Sequence, residues 1–333
     1  MSLELKENQI LAARDVNVRF YTYAGVVHAV SDAYLDIFER ETVALVGETG
    51  SGKTVFTRAL TRLIEPPGRI ESGRIYFRRR NGSVVELLKL TESELRDVRG
   101  NEISYVFQDP SSALDPLYTA GEHIVETILE HRAVSKDEAW NEAIQLLQDV
   151  MIPNPEVRVK SYPHELSGGL RQRVVIATAI SNKPRLLIAD EPTTNLDVTV
   201  QAQILDLLRE LRNKYGMSLL LITHNLGIVA EIADRVYVMY GGRIAETADV
   251  YTLFESPQHP YTQLLLKCVP NPLKKVEKLE SIPGTVPNLI DVKPGCPFAP
   301  RCPFAMEICR TQNPPKVELG KGHFVHCWLY SKR

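Results

Sequence analysis

Apolar and polar positions alternate from about Ile10 to Phe38, with Val16, Val18 and Phe20 before a turn near Ala24-Gly25 and Ala33, Leu35 and Ile37 after it. That period of two predicts an antiparallel β-hairpin. At Thr42-Val43-Ala44-Leu45-Val46 the pattern becomes an unbroken apolar run rich in β-branched residues, as expected of a parallel strand buried on both faces. A glycine-rich turn follows, then a helix predicted from about Thr54 to Ile64. Further strands are predicted over residues 74–77, 103–107, 186–189 and 219–222, with turns at Pro66-Pro67-Gly68 and Ser72-Gly73. Between Thr119 and about Met151, the residues Ile124, Ile128, Ala139, Ala143, Leu146 and Leu147 fall at helical spacing, and Pro153-Asn154-Pro155 closes the stretch. Helices are predicted from Ser167 as N-cap, over 198–215 and over 226–233, and a hairpin over 236–246 turns at Gly241-Gly242. Alternating strands and helices predict an α/β fold: a mostly parallel sheet covered on both faces, with an antiparallel β subdomain and a helical insertion over about 112–183.

From Pro257 the periodicity fades. Pro270, Pro272, Pro283, Pro287 and Pro294 punctuate the stretch, and a charged run covers 274–280. Residues 1–255 are therefore expected to form one domain and 256–333 a small irregular extension. The 333 residues suffice for one large domain with an appendage, and 44% apolar with 24% charged content is that of a soluble globular protein. A net charge of −2 gives no electrostatic argument for nucleic acid or an anionic membrane. No apolar run approaches the ~20 residues that cross a bilayer, and a cytoplasmic location is expected.

The turn after the first buried strand is Gly47-Glu48-Thr49-Gly50-Ser51-Gly52-Lys53-Thr54, which fits G-x-x-x-x-G-K-[ST] in its strand-turn-helix setting. Its glycines allow backbone amides to converge on phosphate oxygens, and the helix start adds positive potential. Lys53 then neutralises β- and γ-phosphate charge and Thr54 ligates Mg²⁺, so the loop predicts binding of a nucleoside triphosphate. Asp190 and Glu191 end an apolar strand, at the sheet edge where open α/β folds bind ligands. As neighbours they point in different directions, which permits one carboxylate for Mg²⁺ and one for an attacking water. Phe20, Tyr21 and Tyr23 precede the loop, and Tyr23, nearest the turn, is the candidate to stack on an adenine.

The order of these motifs resembles the ATP-binding subunits of ABC transporters. The matching residues are the 47–54 loop, Gln108 after a strand, Leu166-Ser167-Gly168-Gly169, the run into Asp190-Glu191, Asn195-Leu196-Asp197 and His224. The resemblance covers about residues 10–255 and implies an ABC-type P-loop NTPase. It implies that Asp190 holds Mg²⁺ through water, that Glu191 polarises the attacking water, and that His224 contacts the γ-phosphate and Glu191. Gln108 would sense Mg²⁺ and relay its state to a membrane partner. Ser167, Gly168 and Gly169 would meet the γ-phosphate of ATP held by a second subunit. Leu170 and Asn195 depart from the common pattern, which often has Gln and Ala there, and neither departure removes a catalytic group. Chromosome and repair ATPases of the same superfamily insert a long coiled coil between loop and signature, and translation-associated ones carry two cassettes. Here there is one cassette with an ordinary insertion, so the transport reading is favoured over such a non-transport ATPase.

The tail narrows the resemblance. Ser256-Pro257-Gln258-His259-Pro260-Tyr261-Thr262, Ile282-Pro283-Gly284-Thr285-Val286-Pro287 and Gly295-Cys296-Pro297-Phe298-Ala299-Pro300-Arg301-Cys302 resemble the C-terminal extension of dipeptide and oligopeptide importer ATPases, some relatives of which serve nickel uptake. Four of the five cysteines, Cys296, Cys302, Cys309 and Cys327, are spaced C-x5-C-x6-C-x17-C. In a reducing compartment they suggest a metal site, and the spacing alone leaves a [4Fe–4S] cluster and a tetrahedral Zn²⁺ open, with His323 and His326 as further zinc candidates. The resemblance favours the cluster. It also implies a second ATPase subunit, commonly a related but distinct chain, two transmembrane permease subunits against which this chain would sit peripherally on the inner face of the cell membrane, and a peptide-binding protein feeding them.

Overall fold

The computed structural model describes residues 5–194, 196–268 and 281–331. Asn195, Pro270, Pro272 and the charged run 274–280 lie outside them. The strands are β1 (Gln9–Thr22), β2 (Gly25–Phe38), β3 (Thr42–Val46), β4 (Gly68–Arg78), β5 (Val84–Glu86), β6 (Ile103–Val106), β7 (Leu186–Asp190), β8 (Ser218–Thr223), β9 (Arg235–Tyr240), β10 (Arg243–Asp249), β11 (Lys316–Gly320) and β12 (His323–His326). They form a four-stranded antiparallel sheet ordered β2-β1-β4-β5 and an eight-stranded sheet ordered β11-β12-β10-β9-β3-β8-β7-β6. In the larger sheet β9, β3, β8, β7 and β6 run parallel. Their carboxyl ends thus share one edge.

The apolar runs read as central strands are central. Every residue of β3, β7 and β8 is buried, and a fully buried Val or Leu contributes about 1.5–3 kcal/mol. One core fills the space between the two sheets, with Leu11, Leu35, Val43, Leu45, Phe56 and Ile222. A second joins the helical insertion to the opposite face of the large sheet through Ile124, Leu147, Ile176, Leu187 and Leu208.

The helical stretch after Thr119 is two helices, Ala120–His131 and Lys136–Asp149. Each starts with a full capping box, Thr119 with Glu122 and Ser135 with Glu138. The Ser135-x-x-Glu138 pair is the start signal of the second helix.

The extension is less irregular than its composition predicts. The extension holds helices Val250–Glu255 and Pro260–Lys267, and β12 pairs antiparallel with β10 (Glu246 with Val325, Thr247 with Phe324), so the tail adds two strands to the main sheet. Its third core places Phe298 against Tyr240 and Tyr261, with ring centroids 5.1 and 5.3 Å apart. Among the described residues no helix is long and apolar enough to cross a membrane.

Candidate nucleotide site

The loop after β3 wraps the start of helix Lys53–Leu60. Gly47 and Gly52 take φ of 153° and 100°, and a Cβ would stand 2.1 Å from the Met239 carbonyl oxygen at the first and 2.4 Å from that of Ala29 at the second. Only glycine fits there. Lys53 is buried and its ammonium donates to the carbonyls of Gly47 (2.8 Å) and Glu48 (3.0 Å). Burial lowers its pKa, opposed by the carboxylates of Glu191, Asp190 and Glu48.

Thr54 and Asp190 meet, the Thr54 hydroxyl donating to Asp190 Oδ1 at 3.1 Å. The other oxygen, Oδ2, accepts from the Tyr105 hydroxyl at 2.8 Å, and Tyr105 also touches Thr57 Oγ1 at 3.1 Å. Burial raises the pKa of Asp190, while the hydrogen bonds from Tyr105 and Thr54 lower it. A desolvated carboxylate beside a hydroxyl is the donor set of a hard divalent cation.

Glu191 follows at φ 45°, and this left-handed step turns its side chain away from that of Asp190. Its Oε2 accepts from Gln108 Nε2 and from Thr194 Oγ1, both at 3.0 Å, and its Oε1 lies 3.2 Å from His224 Nδ1. Three strand ends therefore meet at one carboxylate: β6 through Gln108, β7 through Glu191 and β8 through His224.

A cavity of about 310 Å³ lies over these groups, bordered by Thr49, Gly50, Gly52, Lys53, Thr54, Gln108 and Glu191. The residues fit a nucleoside triphosphate with a divalent ion, because backbone amides, an ammonium and a Thr–Asp pair converge where no side chain fills the space. Val27, Ala29 and Leu289 form its apolar wall. Tyr23 does not border it and stands fully exposed at the β1–β2 turn. Ser167 caps helix Gly168–Ile180 through the Leu170 amide, exposed, and neither it nor Gly168 nor Gly169 borders this cavity.

The tail reaches the loop in a way no local sequence signal announces. Glu48 and Arg301 form a two-pronged ion pair, Nη1 to Oε2 at 2.7 Å and Nη2 to Oε1 at 3.0 Å. The Glu48 amide donates to the Tyr261 hydroxyl at 2.9 Å. Arg301 is pinned further by the carbonyls of Pro283 and Ile282 and by the Tyr240 hydroxyl. Leu289 and Asp291 exchange backbone hydrogen bonds with His28 and Val26 beside the cavity. Tyr105 and Thr194 were likewise missed; a tyrosine in an apolar run reads as core until its hydroxyl's partner is known.

Cys296, Cys302, Cys309 and Cys327 border one small void together with His259, Phe298 and Trp328. Burial pushes the Cys296 thiol up to about 12 and the Cys327 thiol up to about 11, opposed by the backbone amides of Phe298 and Leu329. The void measures about 10 Å³, room for about one water, so a cluster would have to spread these segments. Among the described residues no group of three or more His, Cys, Asp or Glu is arranged to hold a metal ion. His323 instead bonds Glu246 at 2.8 Å and His326 packs on Tyr34, so neither borders the void. Cys268, at the end of helix Pro260–Lys267, is also apart from it.

The arrangement defines a phosphate-binding ATPase cassette. Residues 30–194 match the ABC transporter family and residues 245–309 match the oligopeptide/dipeptide transporter C-terminal region. The chain is 44% identical to the dipeptide transport ATP-binding protein DppD of Bacillus subtilis, over 98% of this chain and 96% of that one. It is 45% identical to the oligopeptide transport ATP-binding protein OppD of the same organism, over 98% and 90%. A dimeric ATP-binding cassette solved in a post-hydrolysis state with ADP and Pi superposes at a TM-score of 0.63 and 27% identity, covering 72% of this chain and 99% of that one. The chain belongs to the family of ABC transporter ATP-binding proteins that carry the oligopeptide/dipeptide transporter C-terminal region.

Proposed function

We propose that this chain hydrolyses ATP to drive uptake of dipeptides or oligopeptides by an ABC importer. The observation that carries the reading is the joining, in one chain, of the Lys53, Thr54–Asp190 and Glu191–Gln108–His224 groups to full-length similarity with ATP-binding proteins named for dipeptide and oligopeptide transport. ATP is the substrate, its phosphates lying over the amides of the 47–54 loop with Lys53 on the β- and γ-oxygens. Thr54 and, through water, Asp190 would hold Mg²⁺, which would supply neutralisation of phosphate charge. Glu191 polarises a water that attacks the γ-phosphorus; the bond from that phosphorus to the bridging oxygen breaks, and ADP and phosphate leave. His224 stabilises charge on the γ-phosphate and holds Glu191 in place.

Ser167, Gly168 and Gly169, free of this cavity, would close the ATP of a second ATPase subunit, a related but distinct chain. Gln108 and the helical insertion would dock on two permease subunits at the inner face of the membrane, supplied by a peptide-binding protein. The thiols of Cys296, Cys302, Cys309 and Cys327 would hold a [4Fe–4S] cluster, the reading that the resemblance to the importer extension supports, with Zn²⁺ as the alternative ligand.

The test is ATPase rate and uptake of a radiolabelled dipeptide in vesicles carrying the permease pair and the binding protein, beside elemental analysis of anaerobically purified protein. Dipeptide uptake that stops without this chain, and iron near four per chain, bear the reading out. Uptake of nickel but not peptide, or turnover indifferent to the permeases, overturns the transport assignment. One zinc and no iron overturns the cluster.

A further inference from the structure

The nucleotide cavity has two unlike halves. Thr49, Gly50, Gly52, Lys53, Thr54, Gln108 and Glu191 border one of them with polar groups, while Val27, Ala29, Val55 and Leu289 complete the border and are all apolar. ATP is divided in the same way, into a triphosphate and a purine with flat apolar faces. With the phosphates over the 47–54 loop and the γ-phosphate toward Glu191, the apolar half is left for the base. Val27, Val55 and Leu289 are each half-buried, so part of their surface stays uncovered. The aromatic residues that precede the loop are engaged elsewhere: Phe20 packs on the core between the sheets, the Tyr21 hydroxyl donates to Glu71 at 2.9 Å with Arg69 over its ring, and Tyr23 stands at the exposed turn. None of the three borders the cavity.

Backbone pairing holds Leu289 in this wall. β2 is an edge strand of the four-stranded sheet, and the amides and carbonyls along an edge are open to another segment. Residues 289–291 take them: the His28 amide donates to the Leu289 carbonyl at 2.7 Å, the Asp291 amide to the Val26 carbonyl at 2.9 Å, and Val27 and Ile290 form an antiparallel bridge. The Asp291 carboxylate also accepts from the Val26 amide at 3.2 Å. The same segment is fastened a second time at the carbonyls of Ile282 and Pro283 by Arg301, whose guanidinium grips Glu48. The stretch 282–291 is thus tied at one end to the phosphate loop and at the other to the strand that carries Val27.

We propose that Leu289 is a nucleotide-binding residue supplied by the C-terminal extension, which packs with Val27 against the purine base of ATP. This role rests on the ATPase reading and deepens it, adding the group that holds the base. The contact is apolar and lies away from the reacting phosphorus, so it stabilises bound ATP and the transition state alike. Its loss raises KM and leaves turnover at saturation in place. Because the base touches a segment of the tail, bound ATP and the docked tail stabilise one another by the same factor.

The test takes the full chain with three probes: ATP, inorganic tripolyphosphate, which has the phosphates and no base, and a photoreactive azido-ATP. Leu289→Ala is expected to weaken ATP binding and raise its KM about fivefold, with kcat at saturating ATP held and tripolyphosphate affinity as in wild type. Leu289→Met restores the apolar bulk and is expected to bring ATP affinity back to within about twofold of wild type. On irradiation of the wild-type chain, the azido-ATP label is expected on a peptide that contains Leu289. Unchanged ATP affinity in Leu289→Ala, an equal loss for tripolyphosphate, or a label confined to the β1–β2 turn around Tyr23 overturns the proposal and leaves the phosphate site standing. A wild-type chain that binds neither ATP nor tripolyphosphate refutes the ATPase reading itself, and the role of Leu289 with it.

Discussion

Glu191 is held at three points, by Gln108, Thr194 and His224. Glu191→Gln keeps the shape and loses the basicity, so ATP binding should persist while turnover falls about 10²–10³-fold, as read by equilibrium nucleotide binding beside phosphate release. Near-normal turnover in that variant would remove Glu191 from the water-polarising role. Tyr105 stands one step back from the Thr54–Asp190 pair proposed to hold Mg²⁺. Its hydroxyl fixes Asp190 Oδ2 and leaves Oδ1 to Thr54, so Tyr105→Phe should raise the Mg²⁺ concentration for half-maximal ATPase about tenfold with kcat at saturating Mg²⁺ little changed. A fall in kcat alone would mean that Tyr105 acts on the chemistry and not on the metal. That Asp190 and Glu191 point apart was legible because adjacent residues at a strand end diverge, and they meet different partners, Thr54 and Tyr105 for one and Gln108, Thr194 and His224 for the other. Tyr23 was read from its nearness to the loop in sequence. The hairpin carries it to an exposed turn instead, while Leu289, more than two hundred residues away in the chain, borders the cavity.

At the scale of elements, the buried strands announced themselves because both faces are covered and apolar character runs unbroken through β3, β7 and β8. The tail strands β11 and β12 are short, carry Lys316, Glu318, His323 and His326, and pair over few residues. Periodicity had too little length there to speak. What fixes them is tertiary, and histidine is central to it. His259 is buried and caps helix Pro260–Lys267, its Nδ1 accepting from the Tyr261 amide at 3.0 Å while its other ring nitrogen donates to the His326 carbonyl. Burial, with His326 nearby, holds its pKa down to about 3, against an ordinary 6.5. The folded value lies below the unfolded one, so the native state binds the proton less readily. Its contribution to stability is complete above pH 6.5 and is lost progressively as pH falls from there toward the folded value. Melting temperature should therefore drop by several degrees between pH 7.5 and 5, and His259→Asn, which can still cap the helix but does not titrate, should flatten that part of the profile. An identical slope in the variant would assign the acid sensitivity to other groups.

Across the whole molecule the phosphate loop and the tail are one mechanical unit, because Arg301 sits between Cys296 and Cys302 in sequence and on Glu48 in space. Its guanidinium is 5% exposed, so its ion pair is screened little by solvent. If the four thiols hold a cluster, the cluster fixes the short turn Ala299–Arg301 from both sides, and through it the fork on Glu48. Loss of the metal and loss of the guanidinium should then be the same injury at the nucleotide site. Replacing Cys296 and Cys302 by Ser is expected to remove the iron and weaken ATP binding about tenfold. Arg301→Ala should weaken it by a similar factor with the iron retained, and the combined variant should be no worse than either alone. Effects that multiply in the combined variant would show two independent routes from tail to loop. Unchanged ATP affinity in the iron-free variant would reduce the cysteines to a staple that holds β11 and β12 on the sheet without reaching the loop. The non-additivity follows from geometry: Glu48 receives both prongs of one side chain, and that side chain has one short turn to stand on.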